Sequence, residues 1–500
     1  MNRRTFILAA GAAGLLTQRL GRAETSAGRV QTPVSSALLA LLEDTPRAAL
    51  PAALAARIRA GLTYDELLSA LTLATVRNVQ PYPEVGYKYH AVMVLRSMHA
   101  CAQQVMPADR WLPVVWAADY FKDTQAQERH ASGWRMPQRP VSAGAGPSTA
   151  RRRLVEALDH WDRDAADVAI GDYAAHAPPA EIFPLLFAYG ARDLRAIGHK
   201  AITVANAHAL LPHLRQEDAV PLLRSTVAAL QNTEGDPNPA QHELSPDRSY
   251  RQCQQQLPRI PASWPQGHDD AGARAELRAV LYGSDPSQAV TSVVALLMRG
   301  LSADALWQVL FDTAAELVTL QPSIVALHSQ TSANALHYAY RHCGDARTQQ
   351  LALLQCAAFV AMFRTDTGTH EGDFRLAAEL GTDSGPSARA GPAAADTEAI
   401  AEILAQVERG ERRRAAHRSL SYLQSGGSAD ALIAALRQQL VAQAREPHDY
   451  KYAEAVFDTY DHMSDERWRR RFLSAGMALF KASAGRPTPL IVETRELLAA

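Results

Sequence analysis

The stretch GLTYDELLSALTLATVRNVQP, Gly61–Pro81, carries a strong helix-start signal. Thr63 is followed three residues later by Glu66, the capping-box pattern in which each side chain satisfies a free backbone N–H of the first turn. Apolar residues then recur every three or four positions, which indicates a helix with one buried face. Gly300–Pro322, GLSADALWQVLFDTAAELVTLQP, has the same Gly-Leu-Ser/Thr opening and the same closing Gln-Pro. The sequence therefore predicts a helical unit that occurs more than once.

Two further copies of this unit can be recognised. PPAEIFPLLFAYGARDLRAIGHKAI begins at Pro178, and GSADALIAALRQQL begins at Gly427. The four starts, near positions 61, 178, 300 and 427, are separated by 117, 122 and 127 residues. In three of the copies a histidine-containing helix follows the opening helix, and a third apolar helix comes after it. The predicted repeat cores are about 61–122, 178–231, 300–364 and 427–481.

The fold class predicted from these patterns is all-α. No run of alternating β-branched residues is long enough to indicate a sheet. We expect four quasi-repeats of about 120 residues, each of three to four helices, because helical repeats bury their apolar faces only against neighbours. The repeats are expected to be stacked or closed into a ring, so residues 24–500 are interpreted as a single domain.

The first 23 residues, MNRRTFILAAGAAGLLTQRLGRA, resemble a signal peptide and are set apart from the fold. Arg3 and Arg4, followed by Thr5–Leu8, resemble the twin-arginine signal that exports proteins already folded. The apolar run is too short to span a bilayer comfortably. The chain is therefore predicted to be bacterial, and periplasmic or secreted.

Composition excludes several partner classes. The net charge is −1 and charged residues make up 21% of the chain, so no nucleic acid and no anionic membrane is expected as a partner. No later run predicts an integral membrane segment in the mature chain. The four cysteines have no ligand-like spacing and are interpreted as small buried hydrophobic residues, although the predicted compartment permits a disulfide of unassigned pairing.

Histidines recur in pairs nine residues apart inside these units. The pairs are His90 and His99, His199 and His208, and His328 and His337. Nine residues at about 100° each turn a helix through half a revolution more than two full turns, so the two members of a pair face opposite sides. The first members hold equivalent places in three units. In a closed ring they are predicted to converge on a central cavity, with the second members pointing away.

The fourth unit departs from the pattern. Aligning Tyr450-Lys451-Tyr452 with Tyr87-Lys88-Tyr89 puts Ala453 where a histidine is expected. His448 and Glu454 remain as nearby substitutes.

Converging imidazoles are the ligand type that iron, copper and zinc accept. His90, His199 and His328, completed by His448, are therefore the candidate metal or cofactor ligands, with iron, copper or haem as candidate cofactors. The alternative interpretation is that these histidines begin buried helices and only hydrogen-bond neighbouring loops.

Three other polar residues are candidates for catalysis. Asn206 and Asn334 follow His199 and His328 by seven and six residues, so each can share a helix face with its histidine. Lys122 stands near the end of a core helix, where the rim of a cavity is expected.

The segments GHKAITVANAHAL, Gly198–Leu210, and LHSQTSANALHYAY, Leu327–Tyr340, resemble the histidine-bearing helices of questin oxidase-like proteins, an oxygenase family that acts on aromatic polyketides. The helix GLTYDELLSALTLA is similar to the helical pattern of carboxymuconolactone decarboxylase-like proteins. The first resemblance implies an oxidative enzyme with a largely apolar, histidine-lined cavity, and it covers only His199 and His328 among the candidate ligands.

Two functions are predicted from different classes. The first is an exported, oxygenase-like oxidoreductase that uses a histidine-ligated metal or haem on a small organic substrate. The second is a non-catalytic helical-repeat scaffold in the periplasm, whose concave face binds a protein or a cell-envelope component.

Overall fold

The computed structural model describes residues 33–139, 146–233, 238–283, 285–366, 393–480 and 486–500. Over these ranges the protein is all-α, with 22 α-helices, no β-strand and one isolated bridge between His268 and Leu301. The predicted fold class is confirmed. The predicted signal at Met1–Ala23 lies outside the described residues.

The helices are numbered here in chain order. Helices α1 to α11 are Ser36–Asp44, Leu50–Arg59, Tyr64–Asn78, His90–Gln104, Trp111–Ala131, Pro147–Asp159, Arg163–Ala174, Pro179–Arg192, His199–Leu210, Gln216–Leu230 and Ser245–Gln256. Helices α12 to α22 are Ala271–Tyr282, Pro286–Met298, Ala303–Leu320, Ile324–His342, Ala346–Asp366, Ala393–Glu408, Arg412–Gln424, Ala429–Gln443, Pro447–His462, Glu466–Gly476 and Pro489–Ala499. Short 3₁₀ segments lie at Arg47–Ala49, Tyr87–Tyr89, Pro107–Asp109, Leu211–His213 and Leu257–Arg259.

The start signals predicted from the sequence are present. The Thr63 side chain accepts a hydrogen bond from the Glu66 N–H, and the Glu66 carboxylate accepts one from the Thr63 N–H, so the capping box at α3 is complete. Ser302 and Ser428 cap α14 and α19 in the corresponding places, each accepting a hydrogen bond from the backbone N–H three residues on. Three of the four predicted opening helices therefore begin with a serine or threonine N-cap.

Helices α4, α9, α15 and α20 form the centre of the molecule. Each packs against two of the others, in the closed order α4, α9, α15, α20 and back to α4. These helices are buried on nearly every face. On α15, for example, every residue from Ala326 to Ala339 is buried. A helix buried on all faces fits the apolar character that the sequence shows there.

An outer layer surrounds this central ring. The helix before and the helix after each central helix pack against it: α3 and α5 on α4, α8 and α10 on α9, α14 and α16 on α15, and α19 and α21 on α20. This is the helix order predicted for each unit. That the four units are copies of one another stays a prediction of the sequence.

Two composition-based expectations can be compared with the structure. All four cysteines, Cys101, Cys253, Cys343 and Cys356, are buried and unpaired, as small hydrophobic residues would be. Among the described helices, none combines the length and the apolarity needed to cross a bilayer.

Candidate functional site

The four predicted ligand histidines meet at one end of the central ring. His90 and His199 are the first residues of α4 and α9, His448 is the second residue of α20, and His328 lies in the second turn of α15. Because their rings touch, the four helices must begin at the same end and run side by side in one direction. We call His90, His199, His328 and His448 the inner histidines.

The inner histidines are arranged as a closed four-membered set. Ring centroids are 5.1 Å apart for His90 and His199, 4.6 Å for His199 and His328, 5.4 Å for His328 and His448, and 4.5 Å for His448 and His90. One ring nitrogen from each of His90, His328 and His448 falls within 4.8 Å of the others. His199 joins through Nε2, which donates a hydrogen bond of 2.9 Å to Nε2 of His328. Two nitrogens held about 2.1 Å from one ion and about 90° apart would be separated by about 3.0 Å.

Backbone carbonyls fix the orientation of two of these rings. Nδ1 of His90 lies 2.8 Å from the Tyr87 carbonyl oxygen, and Nδ1 of His328 lies 2.6 Å from that of Ile324. A carbonyl only accepts, so both Nδ1 atoms carry the proton and both Nε2 atoms present a lone pair. A second hydrogen bond that sets the tautomer in this way is the usual support of a metal-ligating histidine.

Several ring nitrogens of the set have no hydrogen-bond partner. These buried atoms are Nε2 of His90, Nδ1 of His199, and both ring nitrogens of His448. A buried polar atom left without a partner costs about 1–3 kcal/mol. The site therefore gains free energy from any ligand that accepts nitrogen lone pairs, as a transition-metal ion does.

The electrostatics of the site keep the inner histidines neutral. Burial lowers the pKa of His90, His199 and His328 well below the ordinary value, and burial also lowers the pKa of His448. The nearby Lys451 and other rings of the set lower the pKa of His90, His199 and His328 further. At His448 the carboxylate of Glu446 opposes the effect of burial on the pKa, whereas Lys451 adds to that effect. Neutral imidazole is the form that binds a metal.

Lys451 lowers the pKa of all four inner histidines, and it is not among the residues that the sequence predicted for the site. Its side chain is buried, its Nζ has no hydrogen-bond partner, and burial lowers its pKa to about 7. Its neighbours in the sequence, Tyr450 and Tyr452, are fully buried aromatic residues. A lysine between two such residues in a predicted core helix is a sign of burial that could have drawn attention to it.

The backbone before two of the inner histidines is unusual. Tyr87, three residues before His90, has a φ of 42°, and Ile197, two residues before His199, has a φ of 43°. Gly198 has a φ of 83°, and a Cβ there would lie within 1.9 Å of the Ser332 hydroxyl. Left-handed backbone at non-glycine residues costs free energy and is concentrated at functional sites.

Gly86 covers the cluster from the loop that precedes α4. A Cβ atom at this position would lie 3.4 Å from Cε1 of His199 and 3.7 Å from Cε1 of His90. A methyl group fits at these distances, but a branched side chain would displace the rings. Gly86 therefore allows the loop to approach the inner histidines closely.

A cavity of about 80 Å³ lies along the ring axis, and we call it the axial cavity. All four central helices contribute to its wall, with two or three residues each from α9, α15 and α4 and four from α20. Lys451 lines this cavity, and the positive charge of its side chain lowers the pKa of the inner histidines. Arg96 and Asp458, which are partly exposed, mark its outer end.

The two candidate asparagines lie on the wall of the axial cavity. The Asn206 amide donates to the Met93 carbonyl at 2.6 Å, and the Asn334 amide donates to Asp458 at 2.6 Å and to Thr459 at 3.1 Å. Both therefore lie on the part of α9 and α15 that faces the axial cavity.

Lys122, the third candidate, is placed elsewhere. Its Nζ donates to the carbonyls of Leu42 and Glu43 at the end of α1 and to the Gln125 side chain. These bonds tie α5 to α1, which is a structural role. We therefore remove Lys122 from the candidate catalytic residues.

The fourth position of the cluster is taken by His448, the substitute that the sequence offered. His448 lies in the cluster, whereas Ala453, five residues on, does not take the histidine position that the Tyr-Lys-Tyr alignment assigned to it. The Tyr-Lys-Tyr triplet comes before the histidine on α4 and after it on α20. The alignment was wrong because two similar triplets occupy different helix turns.

The second member of each histidine pair contacts a separate aromatic group, and we call His99, His208 and His337 the outer histidines. The His99 ring lies 5.7 Å from that of Tyr64, His208 lies 4.9 Å from Phe183, and His337 lies 4.9 Å from Trp307. Each partner belongs to the helix that precedes its own central helix. The outer histidines therefore face away from the inner set, as predicted.

No family model, no curated protein and no solved structure matches this chain. The resemblance to questin oxidase-like proteins stays a prediction from the sequence.

Proposed function

We propose that this protein is a metal-dependent oxidoreductase that acts on a small organic substrate. The inner histidines would hold one transition-metal ion at the start of the four central helices. The observation that carries the proposal is the convergence of four neutral imidazoles. One ring nitrogen from each of His90, His328 and His448 lies within 4.8 Å of the others, and His199 joins His328 through Nε2 at 2.9 Å.

The geometry favours an ion over a haem. A haem is held by one or two axial ligands on opposite faces of a wide ring. Here the four rings meet edge to face at centroid distances of 4.5 to 5.4 Å, which suits four ligands around one point. Imidazole ligands suit iron, copper and zinc, and the oxidative class is supported by the resemblance to questin oxidase-like proteins.

The ion would supply redox chemistry, and the protein would determine the charge of its ligands and the polarity around it. Neutral ligands leave the charge of the ion uncompensated, and the buried site has a low dielectric. Both conditions favour the lower oxidation state, the form in which iron and copper react with dioxygen.

A catalytic centre accounts for these features better than an inert scaffold does. A scaffold has no need for several buried ring nitrogens without partners, or for a buried lysine whose pKa is about 7. Strongly perturbed ionisable groups gathered in one place are typical of functional sites.

The decisive experiment is elemental analysis of the purified chain and of matched histidine variants. We expect about one iron or copper ion per chain, with loss of the ion in His199→Ala and retention in His208→Ala, which lies nine residues away on the same helix. Dioxygen consumption with a small aromatic or aliphatic substrate should follow the metal content. Metal-free protein that stays metal-free when iron, copper and zinc are added would contradict the proposal.

We also propose that the chain is exported folded through the twin-arginine route, on the basis of Arg3 and Arg4. Replacing both by lysine should leave the protein in the cytoplasm of a bacterial host. An unchanged periplasmic yield would show that this part of the proposal is wrong, with no bearing on the metal site.

A further inference from the structure

We infer that the axial cavity is a binding site for a small oxyanion, held by Lys451 and Thr331 below the inner histidines. The inference goes beyond the metal centre because it assigns a second ligand to a different set of residues. Its main support is a mismatch between hydrogen-bond donors and acceptors on the cavity wall.

The donors on this wall are left without partners. Nζ of Lys451 and Oγ1 of Thr331 are both buried, with exposed fractions of 3% and 4%, and neither makes a hydrogen bond. Both residues line the cavity. A buried amine and a buried hydroxyl facing the same space need an acceptor ligand.

The acceptors on the wall are already used. Glu454 accepts two hydrogen bonds from the Arg437 guanidinium, both at 3.0 Å. Asp458 accepts from the Asn334 amide at 2.6 Å and lies 3.6 Å from both Arg96 and Arg341. Neither carboxylate makes a hydrogen bond with Lys451 or Thr331.

The charge around the cavity also favours an anion. At its outer end two guanidinium groups, Arg96 and Arg341, face the single carboxylate of Asp458. At its inner end the four central helices begin together, and each helix N-terminus carries a partial positive charge. An anion of a few atoms suits a volume of about 80 Å³, so the expected ligand class is a small oxyanion such as a carboxylate or nitrate.

A second argument rests on the proposed function. Four neutral imidazoles would leave a divalent ion with its full charge beside the Lys451 amine. An oxyanion in the axial cavity would compensate that charge. The donor argument does not depend on the metal, so the two proposals can fail separately.

The test uses a cysteine reporter in the cavity. Ser97 lines the cavity, so Ser97→Cys places a thiol there with a minimal change in size. Ser249→Cys is the matched control, because Ser249 has a similar small exposure on α11 and does not line the cavity. Alkylation by iodoacetamide is followed by intact mass, with the unsubstituted chain giving the background of the four native cysteines.

We expect 50 mM formate or nitrate, at pH 6.5 and constant ionic strength, to slow alkylation of Ser97→Cys about fivefold or more. The rate for Ser249→Cys should not change. In Ser97→Cys combined with Lys451→Met the protection should vanish. In the same reporter with Lys122→Met, which removes a buried lysine elsewhere, the protection should remain.

Equal rates with and without both anions would overturn the inference, as would equal protection in the Lys451→Met background. If Ser97→Cys does not fold, Ala100→Cys offers a second reporter on the same wall. Each measurement is made on the protein as purified and after chelation. Protection without metal binding would retain the anion site and reject the metal centre, and metal binding without protection would do the reverse.

Discussion

On three of the four central helices an inner and an outer histidine lie nine residues apart, yet the surroundings of the two rings differ. Inner rings face other imidazoles, and several of their nitrogens have no partner. Outer rings pack on tyrosine, phenylalanine or tryptophan, and the Tyr338 hydroxyl lies 3.0 Å from Nδ1 of His208. The outer histidines are thus held by aromatic side chains, whereas His90, His199 and His448 keep ring nitrogens that only a bound group would satisfy.

The largest effect that separates the two sets is expected from an outer histidine. His337→Ala removes a ring packed against Trp307, Phe311 and Tyr340, so it should lower the free energy of unfolding by about 3 kcal/mol. Metal content should stay the same. Urea denaturation and elemental analysis measure the two quantities. Loss of metal with unchanged stability would reverse the roles assigned to the two sets.

Added metal should raise the free energy of unfolding only when the inner histidines are intact. At a free metal concentration about 100 times the Kd, binding should raise the free energy of unfolding of the metal-free chain by about 2.7 kcal/mol. His328→Leu should abolish this gain, because His328 contributes a nitrogen to the cluster. His208→Phe should retain it, and thermal unfolding at several metal concentrations gives the comparison. An equal gain in the His328→Leu variant would place the ion elsewhere.

Lowering the pH should reduce the free energy of unfolding in part because the buried His337 ring resists protonation in the folded chain. Burial, aided by Arg341 and His462, lowers its pKa to about 3 in the folded chain, against about 6.5 when unfolded. The unfolded chain therefore takes up the proton first. The stability contributed by the neutral ring is complete above pH 6.5 and is lost as the pH falls towards 3. The loss for this group between pH 7 and pH 4 is about 3 kcal/mol.

His337→Phe tests this assignment by removing the titrating group and keeping an aromatic ring. Its unfolding free energy should fall less steeply between pH 7 and pH 4 than that of the parent chain. The inner histidines act with the same sign in metal-free protein, so both chains are compared after chelation. Identical slopes would show that His337 does not titrate in this range.

The smallest effect should come from an inner histidine in the metal-free chain. Both ring nitrogens of His448 lack hydrogen bonds, so His448→Leu should raise the free energy of unfolding by about 1 kcal/mol while abolishing metal binding. His208→Leu is the control, and it should destabilise because it leaves the Tyr338 hydroxyl without its partner. A His448→Leu chain that is clearly less stable than its parent would mean that the metal-free site is already satisfied.

Much of the fold was predictable from local signals. The capping box at Thr63 and Glu66 and the helical spacing of apolar residues depend on neighbours within one or two turns, so they could be interpreted without the structure. The half-turn between the two histidines of a pair follows from helix geometry in the same way. These signals were sufficient to select three inner histidines and to place their partners on the opposite side.

The rest depended on distant contacts. The fourth ligand, His448, was uncertain because the Tyr-Lys-Tyr alignment left both His448 and Glu454 as substitutes for the missing histidine. Only the packing of α20 against α4 and α15 decides between them. Lys451 was missed because its importance lies in what surrounds it rather than in any motif. Lys122 was chosen for its place near a helix end, where its bonds to the α1 carbonyls were not visible in the sequence.

The closed ring of central helices has a consequence for how the chain is made. The last contact of the ring joins α4, near the beginning, to α20, near the end. During synthesis the site therefore lacks one wall and one imidazole until Pro447–His462 has left the ribosome. Folding that relies on such distant contacts is slow. A chain that stops before α20 lacks His448, so under the proposed function it should be unable to hold the ion.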